Sequence, residues 1–539
     1  MRKMGFTLMA MAVLGPSVPL FAQGSYQDLV KLDAEFLEFR KPRIVDGVAD
    51  RGPTAMAAQR NGIEEIRQRL RAIDAASWPV SQRVDYLLVW AKLNALTFDH
   101  RVMKPWARDP ILYLDDVSEI PYAETPLSAE KKAEVKAMLA TVPKVMAQAQ
   151  ANLTEANGEL AKLAIFYLEN FDGVGQGEPY RDQPPAGTIG WYQDLCGRLR
   201  QHHAELVPAC QAAINAVSGY RDWLRGSVGG MPQSAAIGMN NFNWYLKHVR
   251  LLPYDSEDLI LLGERELHRY RLNYLVDRNR NKNLPELELT KTREQHEERT
   301  REAEEQIRAL VAQQNLMTIP GYVPESFETD VFFSPRALTK RHFWEEIQFR
   351  NALDNHIHAS IPGHRFDGRL RQELTNPVRK TYRDTERGEG WATYLEELFV
   401  QTGITDENPR ARELFYVALI KRGSRVFAET GMHAGKMSID DANAYMIDWV
   451  PFMEEDLGRY DLVGYLRRPG AGSAYLVGKM QIEKLISERA FQLGSAFDLG
   501  KFHDEFLSKG IIPVTLIRWE MTGHDDEVTK LWAEVVGAS

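Results

Sequence analysis

The sequence has little cysteine, no long apolar segment and no excess of basic residues. Only two of its 539 residues are cysteines, Cys196 and Cys210, which excludes a scaffold held by many disulfides or cysteine-rich zinc sites. No segment approaches the ~20 apolar residues of a membrane-spanning helix. The net charge of −9 and the pI of about 5.9 give nucleic-acid binding no electrostatic support.

The two cysteines leave two interpretations open. In an oxidising compartment the pair favours a disulfide, because the intervening residues can form a helical hairpin that brings the thiols together. Two buried free thiols are the alternative, since the sequence carries no geometry. Zinc binding by this pair together with His202 and His203 is disfavoured, because no second ligand pair follows.

The N-terminus has the three parts of a secretory signal peptide over residues 1–22. Arg2 and Lys3 are basic, residues 6–14 are apolar, and residues 20–22 fit a cleavage site. The apolar part is too short to span a membrane, and no cysteine follows the cleavage site to carry a lipid. We expect an exported protein, periplasmic if the host is Gram-negative.

Helical periodicity dominates the remaining chain, with apolar residues three and four positions apart. The clearest segments are residues 63–73, 84–96, 130–139 and 145–168. No series of alternating strands separated by turns is present. We predict a mostly α-helical protein, with one small β-hairpin at residues 321–333, where aromatic and β-branched residues gather.

The domain organisation is less marked. We divide the mature chain into an N-terminal helical region, residues 23–250, and a site-bearing region, residues 251–539, which we expect to form one continuous body. Residues 105–126 are rich in proline, and residues 172–188 are rich in glycine and proline. Both segments are predicted to be loops.

A candidate metal site lies between residues 356 and 398. The segment HIHASIPGH contains His358 and His364, and GEGWATYLEEL contains Glu389. Two histidines and a glutamate form a catalytic zinc site when a fourth position stays open. The histidines are six residues apart, so one unbroken helix would point them in different directions, but a break at Pro362 could turn the second back.

Neighbouring residues suggest partners for these ligands. Glu396 follows Glu389 by seven residues, which places both on one helix face. Glu396, or Asp354 upstream, could bond the second nitrogen of a ligand histidine. His356 lies on a different face from His358 and is the weaker ligand candidate. The alternative interpretation is a surface segment without a metal, since clustered histidines and helical glutamates are common.

These motifs resemble the bacterial domain-of-unknown-function 885 family. The family carries His-Glu-x-x-Pro-Gly-His and then Glu-Gly-Trp-Ala-x-Tyr-x-Glu, and this chain has HASIPGH and EGWATYLEE. Residues 429–433 (ETGMH), 468–479 (RPGAGSAYLVGK) and 497–513 also resemble family segments. The order is kept from about residue 241 to residue 514.

The resemblance implies a large helical body with a deep central channel, similar to M32-type carboxypeptidases and angiotensin-converting-enzyme-like zinc peptidases. It assigns His358, His364 and Glu389 as zinc ligands and places near the substrate His433, Tyr475 and His503. A tyrosine or neutral histidine can donate a hydrogen bond to a developing oxyanion, and Arg468 could pair with a substrate carboxylate. The alternatives are core positions for Tyr475 and His433 and a helix-joining role for His503.

One residue departs from the family pattern. Ala359 stands where the family has the glutamate that activates the metal-bound water. Alanine accepts no proton, and general-base catalysis typically contributes ~10²–10⁴-fold. Another carboxylate, Glu386 or Glu396, could have taken the role; the reaction could need only a Lewis acid or a different base; or the protein could bind without catalysis.

We therefore predict an exported zinc-metallopeptidase-like protein that hydrolyses peptides or small amides if it is active. One alternative is a catalytically silent protein that binds peptides or small molecules in the same channel, and another is a non-peptidase enzyme on the same scaffold. A carboxylate near the metal's open position would favour an enzyme, and a hydrophobic lining would favour a binding protein. A site of two histidines and a glutamate also accepts other divalent ions than zinc.

Overall fold

The computed structural model describes residues 24–118, 123, 125–170, 185–327 and 341–537. The chain is 72 % helical, which confirms the mostly α-helical prediction. The predicted signal peptide, residues 1–22, and most of the predicted loop 172–188 lie outside the described residues. Within the described part of the chain, no helix has both the length and the apolar composition needed to span a bilayer.

The helices of the first part of the chain are α1 (Tyr26–Phe39), α2 (Pro53–Arg71), α3 (Val80–Phe98), α4 (Pro105–Arg108), α5 (Ile111–Asp115), α6 (Ala129–Asn152), α7 (Gly158–Glu169), α8 (Gly187–His202), α9 (Val207–Ser227), α10 (Met239–His248), α11 (Ser256–Arg280) and α12 (Arg293–Gln313). Those of the second part are α13 (Phe343–Gln348), α14 (Leu353–Ala359), α15 (His364–Gln372), α16 (Pro377–Thr381), α17 (Thr385–Gln401), α18 (Pro409–His433), α19 (Ile439–Trp449), α20 (Glu455–Arg467), α21 (Ala474–Leu493), α22 (Leu499–Ser508), α23 (Val514–Thr522) and α24 (Thr529–Gly537).

A small β-hairpin is present, but not where the sequence analysis placed it. Strands β1 (Ile44–Val45) and β2 (Val48–Ala49) pair antiparallel. They are joined by Asp46 and Gly47, which have φ angles of 51° and 82°; Asp-Gly is a typical two-residue hairpin turn. Residues 321–327 contain no strand, and the rest of the predicted hairpin, residues 328–333, lies outside the described residues.

Two other details resolve or correct the sequence-based expectations. Cys196 in α8 and Cys210 in α9 form a disulfide, so the free-thiol alternative does not hold. The prediction of a loop at 105–126 is wrong in part, because α4 and α5 lie there. Pro105 occupies the first turn of α4, where its missing N–H costs nothing.

Two hydrophobic clusters form the interior. The first runs from Val48 to Val477 and the second from Leu29 to Val535 along the chain. Each cluster includes residues from both sides of position 250. The second contains buried side chains of α14 and α17, the helices that carry the candidate metal ligands.

Helices α17 and α21 cross with their backbones in contact. A Cβ at Gly390 would lie 2.3 Å from the carbonyl carbon of Gly478, and a Cβ at Gly478 would lie 1.8 Å from the carbonyl oxygen of Glu386. Only glycine fits at both positions. The close crossing brings the start of α21, with Tyr475, next to the part of α17 that carries Glu389.

Candidate metal centre

The break at Pro362 and Gly363 separates the two candidate histidine ligands. Helix α14 ends at Ala359, and α15 begins at His364. A Cβ at Gly363 would lie 1.9 Å from the carbonyl oxygen of His358, so only glycine allows this return of the chain. The two histidines are therefore carried on different helices.

His358, His364 and Glu389 come together at one point. Their ligand atoms all lie within 4.8 Å of one another. Nε2 of His364 lies 3.2 Å from Oε2 of Glu389, and Nε2 of His358 lies 3.4 Å from the same oxygen. Ligands of a tetrahedral zinc ion are roughly 3.4 Å apart, so the donor set fits zinc with a fourth position open; metal binding itself stays a prediction.

The charge states of His358 and Glu389 suit a divalent cation. Burial and the nearby Arg422 cation lower the pKa of His358 to about 3. Burial alone would raise the pKa of Glu389, but hydrogen bonds from both histidines hold it well below its usual range. For His364, burial lowers the pKa while the Glu389 carboxylate raises it more strongly. A neutral His358 beside an ionised Glu389 is the ligating form of both groups.

Glu396, which the sequence analysis offered together with Asp354 as a partner of a ligand histidine, lies behind His358. Oε1 of Glu396 is 2.7 Å from Nδ1 of His358, Arg422 pairs with the same oxygen, and Nη2 of Arg422 lies 3.0 Å from the same Nδ1. Both charged groups therefore contact the ring on the side away from Nε2; a carboxylate there can orient the ring by accepting the Nδ1 proton, and this role stays a prediction. Burial raises the pKa of Glu396, and the guanidinium groups of Arg422 and Arg425 oppose that shift.

The other two candidates on α14 have different surroundings. Asp354 is buried, and its carboxylate has no hydrogen-bond partner among the described residues. His356 is also buried, and its Nε2 lies 3.0 Å from Oε2 of Glu304 in α12. His356 therefore ties α14 to α12 and is not part of the three-residue cluster.

Glu389 and Tyr475 open onto a cleft of about 490 Å³. Its walls combine charged residues, namely Asp461, Arg467 and Arg468, with aliphatic ones such as Leu114 and Val463. The lining is therefore not the hydrophobic surface that would have favoured a binding protein for apolar ligands. It suits a polar ligand such as a peptide.

The two arginines of this cleft differ in their partners. Arg467 is held by ion pairs with Asp109 and Asp115, at 2.6 Å each. Arg468 is exposed and forms no ion pair with another residue that the structure describes. Pairing of Arg468 with an anionic group of a ligand stays a prediction.

Tyr475 lies beside the first ligand histidine. Its ring is nearly parallel to that of His358, with 6.2 Å between the centroids, and the Arg425 guanidinium lies 4.3 Å from its ring centre. Glu429 accepts hydrogen bonds of 3.1 and 2.9 Å from two backbone N–H groups in the turn just before α21. These contacts fix the tyrosine at the edge of the cleft.

His433 and His503 make internal hydrogen bonds and are not brought into the cluster. Both are fully buried. Nε2 of His433 donates to the Tyr465 carbonyl oxygen at 3.2 Å. Nδ1 of His503 donates to the Leu316 carbonyl oxygen at 2.7 Å, and the Tyr394 hydroxyl bonds its Nε2 at 2.9 Å. Burial lowers the pKa of each to about 4, so both are neutral; a role near the substrate stays a prediction.

The sequence analysis missed the basic residues of α18. Lys421, Arg422 and Arg425 are all buried; Arg422 contacts the metal-centre residues, and the other two pair with Asp461 at 2.9 and 3.0 Å. Their signal was available, because basic residues inside an otherwise apolar helix need buried partners.

Neither carboxylate offered as a substitute base lies at the open metal position. Glu396 is on the Nδ1 side of His358, opposite the metal-facing Nε2. Glu386 is fully buried, and its nearest cation is Arg250, at 3.5 Å. Ala359 is partly exposed at the end of α14. The place of the usual base is therefore not refilled by either candidate.

Two solved structures have a similar fold. One is a predicted lipoprotein of unknown function from Shewanella oneidensis, with 18 % identity, a TM-score of 0.66, and coverage of 92 % of this chain and 100 % of that one. The other is a predicted lipoprotein from Colwellia psychrerythraea, with 14 % identity, a TM-score of 0.67, and coverage of 94 % and 99 %. At these identities the likeness shows a shared fold alone.

The sequence comparisons identify the family. No significant match was found among curated proteins. The pattern of the family described as "Bacterial protein of unknown function (DUF885)" matches residues 38–330 and 278–521, which is most of the chain. The chain therefore belongs to the bacterial DUF885 family.

Proposed function

We propose that this protein is an exported, zinc-binding protein of the metallopeptidase type that takes a peptide or small amide in its cleft. The observation that carries the proposal is the convergence of His358, His364 and Glu389 on one point, with Glu389 at the wall of the cleft. A zinc ion held there would polarise the scissile carbonyl and make water a stronger nucleophile. M32-type and angiotensin-converting-enzyme-like peptidases, which the sequence motifs resemble, use such a centre.

The chain's own residues can hold the ligand around that centre. Burial raises the pKa of Tyr475, so its hydroxyl keeps its proton and can donate a hydrogen bond to the carbonyl oxygen. Arg468 can pair with a carboxylate of the ligand. Glu396 fixes the orientation of His358 from behind. These roles require no movement of a helix.

A second candidate function is peptide binding without cleavage, and Ala359 is the observation that favours it. A carboxylate at this position would take the proton from the attacking water. Neither Glu386 nor Glu396 replaces it. We expect the protein with Ala359 to bind peptides and to hydrolyse them slowly at most.

Export is supported by the predicted signal peptide and by the description of both similar structures as predicted lipoproteins. The net charge of −9 does not favour a nucleic-acid partner. The ligand is therefore sought among peptides and small amides that reach an extracytoplasmic compartment.

The first experiment is a zinc titration of the chelator-treated protein. We expect one zinc ion per chain, bound by the wild type and lost in His364→Ala. His356→Ala is the matched control, because His356 is close in sequence but faces Glu304. If the wild type binds no zinc, or if His364→Ala binds it as tightly, the metal centre is refuted.

The second experiment separates the two candidate functions. The zinc-loaded wild type is incubated with a mixed peptide library, and both cleavage products and retained peptides are identified by mass spectrometry. Cleavage that His364→Ala abolishes supports the enzyme, and retention without cleavage supports the binding protein. If peptides are neither cut nor retained, the cleft does not serve either function.

A further inference from the structure

A second cavity continues the cleft beyond Arg468. Its volume is about 410 Å³, and it shares Gly464, Arg467 and Arg468 with the cleft at the metal centre. Asp99 lines this second cavity and also a third cavity of about 310 Å³. Arg468 therefore lies where the second cavity meets the cleft at the metal centre, and Asp99 lies where it meets the third cavity.

Asp99 is a carboxylate without a counter-ion in contact. It forms no hydrogen bond or ion pair through its side chain with the residues in the described ranges. Burial raises its pKa to about 7, and the positive charge of Arg40 opposes that shift only in part. A desolvated carboxylate lacking a partner is unfavourable, and a cation placed in the adjoining cavity would remove that cost.

The backbone that follows Asp99 has an unusual conformation. Residues Asp99–Met103 form a π-helical turn, in which the carbonyl oxygen of Asp99 accepts from the N–H of Lys104 at 2.7 Å. Lys104 has a φ of 42°, in the left-handed region that favours glycine. Such turns are rare and frequently occur at functional sites, and strained residues cluster there as well.

The other charged residues of the second cavity already have partners. Arg467 pairs with Asp109 at 2.6 Å, and Arg108 bonds the Val102 carbonyl oxygen at 2.9 Å. Asp99 and Arg468 are therefore the two charged side chains of the lining without a hydrogen bond or ion pair to another residue that the structure describes.

We propose that the second cavity is a subsite for a zwitterionic end group, whose carboxylate pairs with Arg468 and whose ammonium pairs with Asp99. A peptide that ends in a basic residue has this chemistry. The inference deepens the proposed function. It rests on that function only for the part of the cleft that adjoins the metal centre. A bound divalent cation fits less well, because Asp109 is already paired with Arg467 and Asp99 alone supplies too few oxygen ligands.

The test uses metal-free protein and three dipeptide probes in calorimetric titrations. Glycyl-lysine carries both charges, glycyl-norleucine lacks the side-chain ammonium, and glycyl-lysinamide lacks the carboxylate. We expect glycyl-lysine to bind on the order of 10-fold more tightly than either of the others, since each loses one charge-assisted contact.

Variants assign each preference to a residue. Asp99→Asn should make glycyl-lysine and glycyl-norleucine bind equally, and Arg468→Gln should do so for glycyl-lysine and glycyl-lysinamide. Asp74→Asn, an exposed aspartate that lines none of the three cavities, should keep both preferences.

Equal affinities of the wild type for all three probes overturn the proposal, and so does a lysine preference that survives Asp99→Asn. The comparison of the three dipeptides uses only the wild type, so the proposal can be refuted even if Asp99→Asn folds poorly. Because no metal is present, the outcome is independent of the zinc titration. A protein that binds zinc without the lysine preference loses only the subsite, and the reverse result removes only the metal centre.

Discussion

Two regions of the molecule carry histidines that belong to the family-like motifs, and the partners of these histidines differ between the regions. At the junction of α14, α15 and α17, His358 and His364 meet the carboxylate of Glu389. At the end of α18 and in α22, His433 and His503 donate to backbone carbonyl oxygens instead. The difference teaches that a family motif does not by itself decide what a histidine contacts in the fold. His358 and His364 contact a carboxylate, whereas His433 and His503 bond the backbone.

The largest expected effect comes from adding a carboxylate to the first region. Ala359→Glu places an acid directly after His358, where it can take the proton of the attacking water. Peptide hydrolysis should rise ~10²–10⁴-fold, as measured on the zinc-loaded protein with a peptide library. Ala359→Gln is the matched control and should give no increase. A folded, zinc-binding Ala359→Glu that cleaves nothing would show that the cleft is not a dormant peptidase.

The Ala359→Glu variant also tests whether His433 and His503 take part in the reaction. In the Ala359→Glu background, His433→Gln and His503→Gln should leave the hydrolysis rate nearly unchanged if their roles are structural. A fall of two orders of magnitude in a well-folded variant would instead place that histidine at the substrate.

The second prediction concerns stability at acid pH. Because the folded-state pKa of His503 is about 4 and the ordinary value is about 6.5, the unfolded chain binds protons first as the pH falls. The stabilisation is complete above pH ~6.5 and is lost between pH 6.5 and 4, by up to about 3 kcal/mol. His433 should behave alike. Urea unfolding at pH 7 and pH 5 should show a smaller difference for His503→Gln than for wild type; an identical difference would contradict the assignment.

The third prediction concerns the partner behind the first ligand. Glu396→Ala should weaken zinc binding ~10–100-fold, because His358 loses the group that orients it. Asp354→Ala should have a smaller effect, since Glu396 lies 2.7 Å from Nδ1 of His358 and pairs with Arg422, whereas the Asp354 carboxylate makes no ion pair with a described residue. Competition with a chelator measures both affinities. Equal effects of the two substitutions would remove the special role of Glu396.

The smallest effect is expected for a hydroxyl in the second region. Tyr394→Phe removes the hydrogen bond to Nε2 of His503 and should lower the free energy of unfolding by about 1–3 kcal/mol. Tyr465→Phe is the matched control, because the buried Tyr465 hydroxyl has no hydrogen-bond partner among the described residues. Thermal and urea unfolding provide the comparison; equal losses would show that the hydrogen bond itself contributes little.

Much of the fold was predictable because helical periodicity is a local property. Residues 84–96 lie inside α3, and all but the last two of residues 63–73 lie in α2. The hairpin lies at the Asp46-Gly47 turn because a two-residue Asp-Gly loop favours a hairpin locally. Aromatic and β-branched residues, as at 321–333, do not specify a hairpin by themselves. The prediction of a loop over all of residues 105–126 was wrong in part, since proline also favours the first turn of a helix.

The candidate site was predictable only in part. The ligand types and the break at Pro362 are written in the motif, whereas the partners of His433 and His503 are carbonyl oxygens that carry no sequence signature. The α18 arginines contact the site through residues distant in sequence, so their role emerged only from packing. The same holds for Asp99, which directly follows α3 and lines the second cavity.

By itself the sequence determined the helical class, the family and the chemistry of the three candidate ligands, because these depend on residue type and short-range spacing. Tertiary structure alone decided which histidines contact a carboxylate and which bond backbone carbonyl oxygens. It also placed Glu396 on the Nδ1 side of His358 and paired the buried Glu386 with Arg250. Those outcomes depend on how α14, α15, α17, α18 and α21 pack, and the close crossing at Gly390 and Gly478 sets distances that no local pattern encodes.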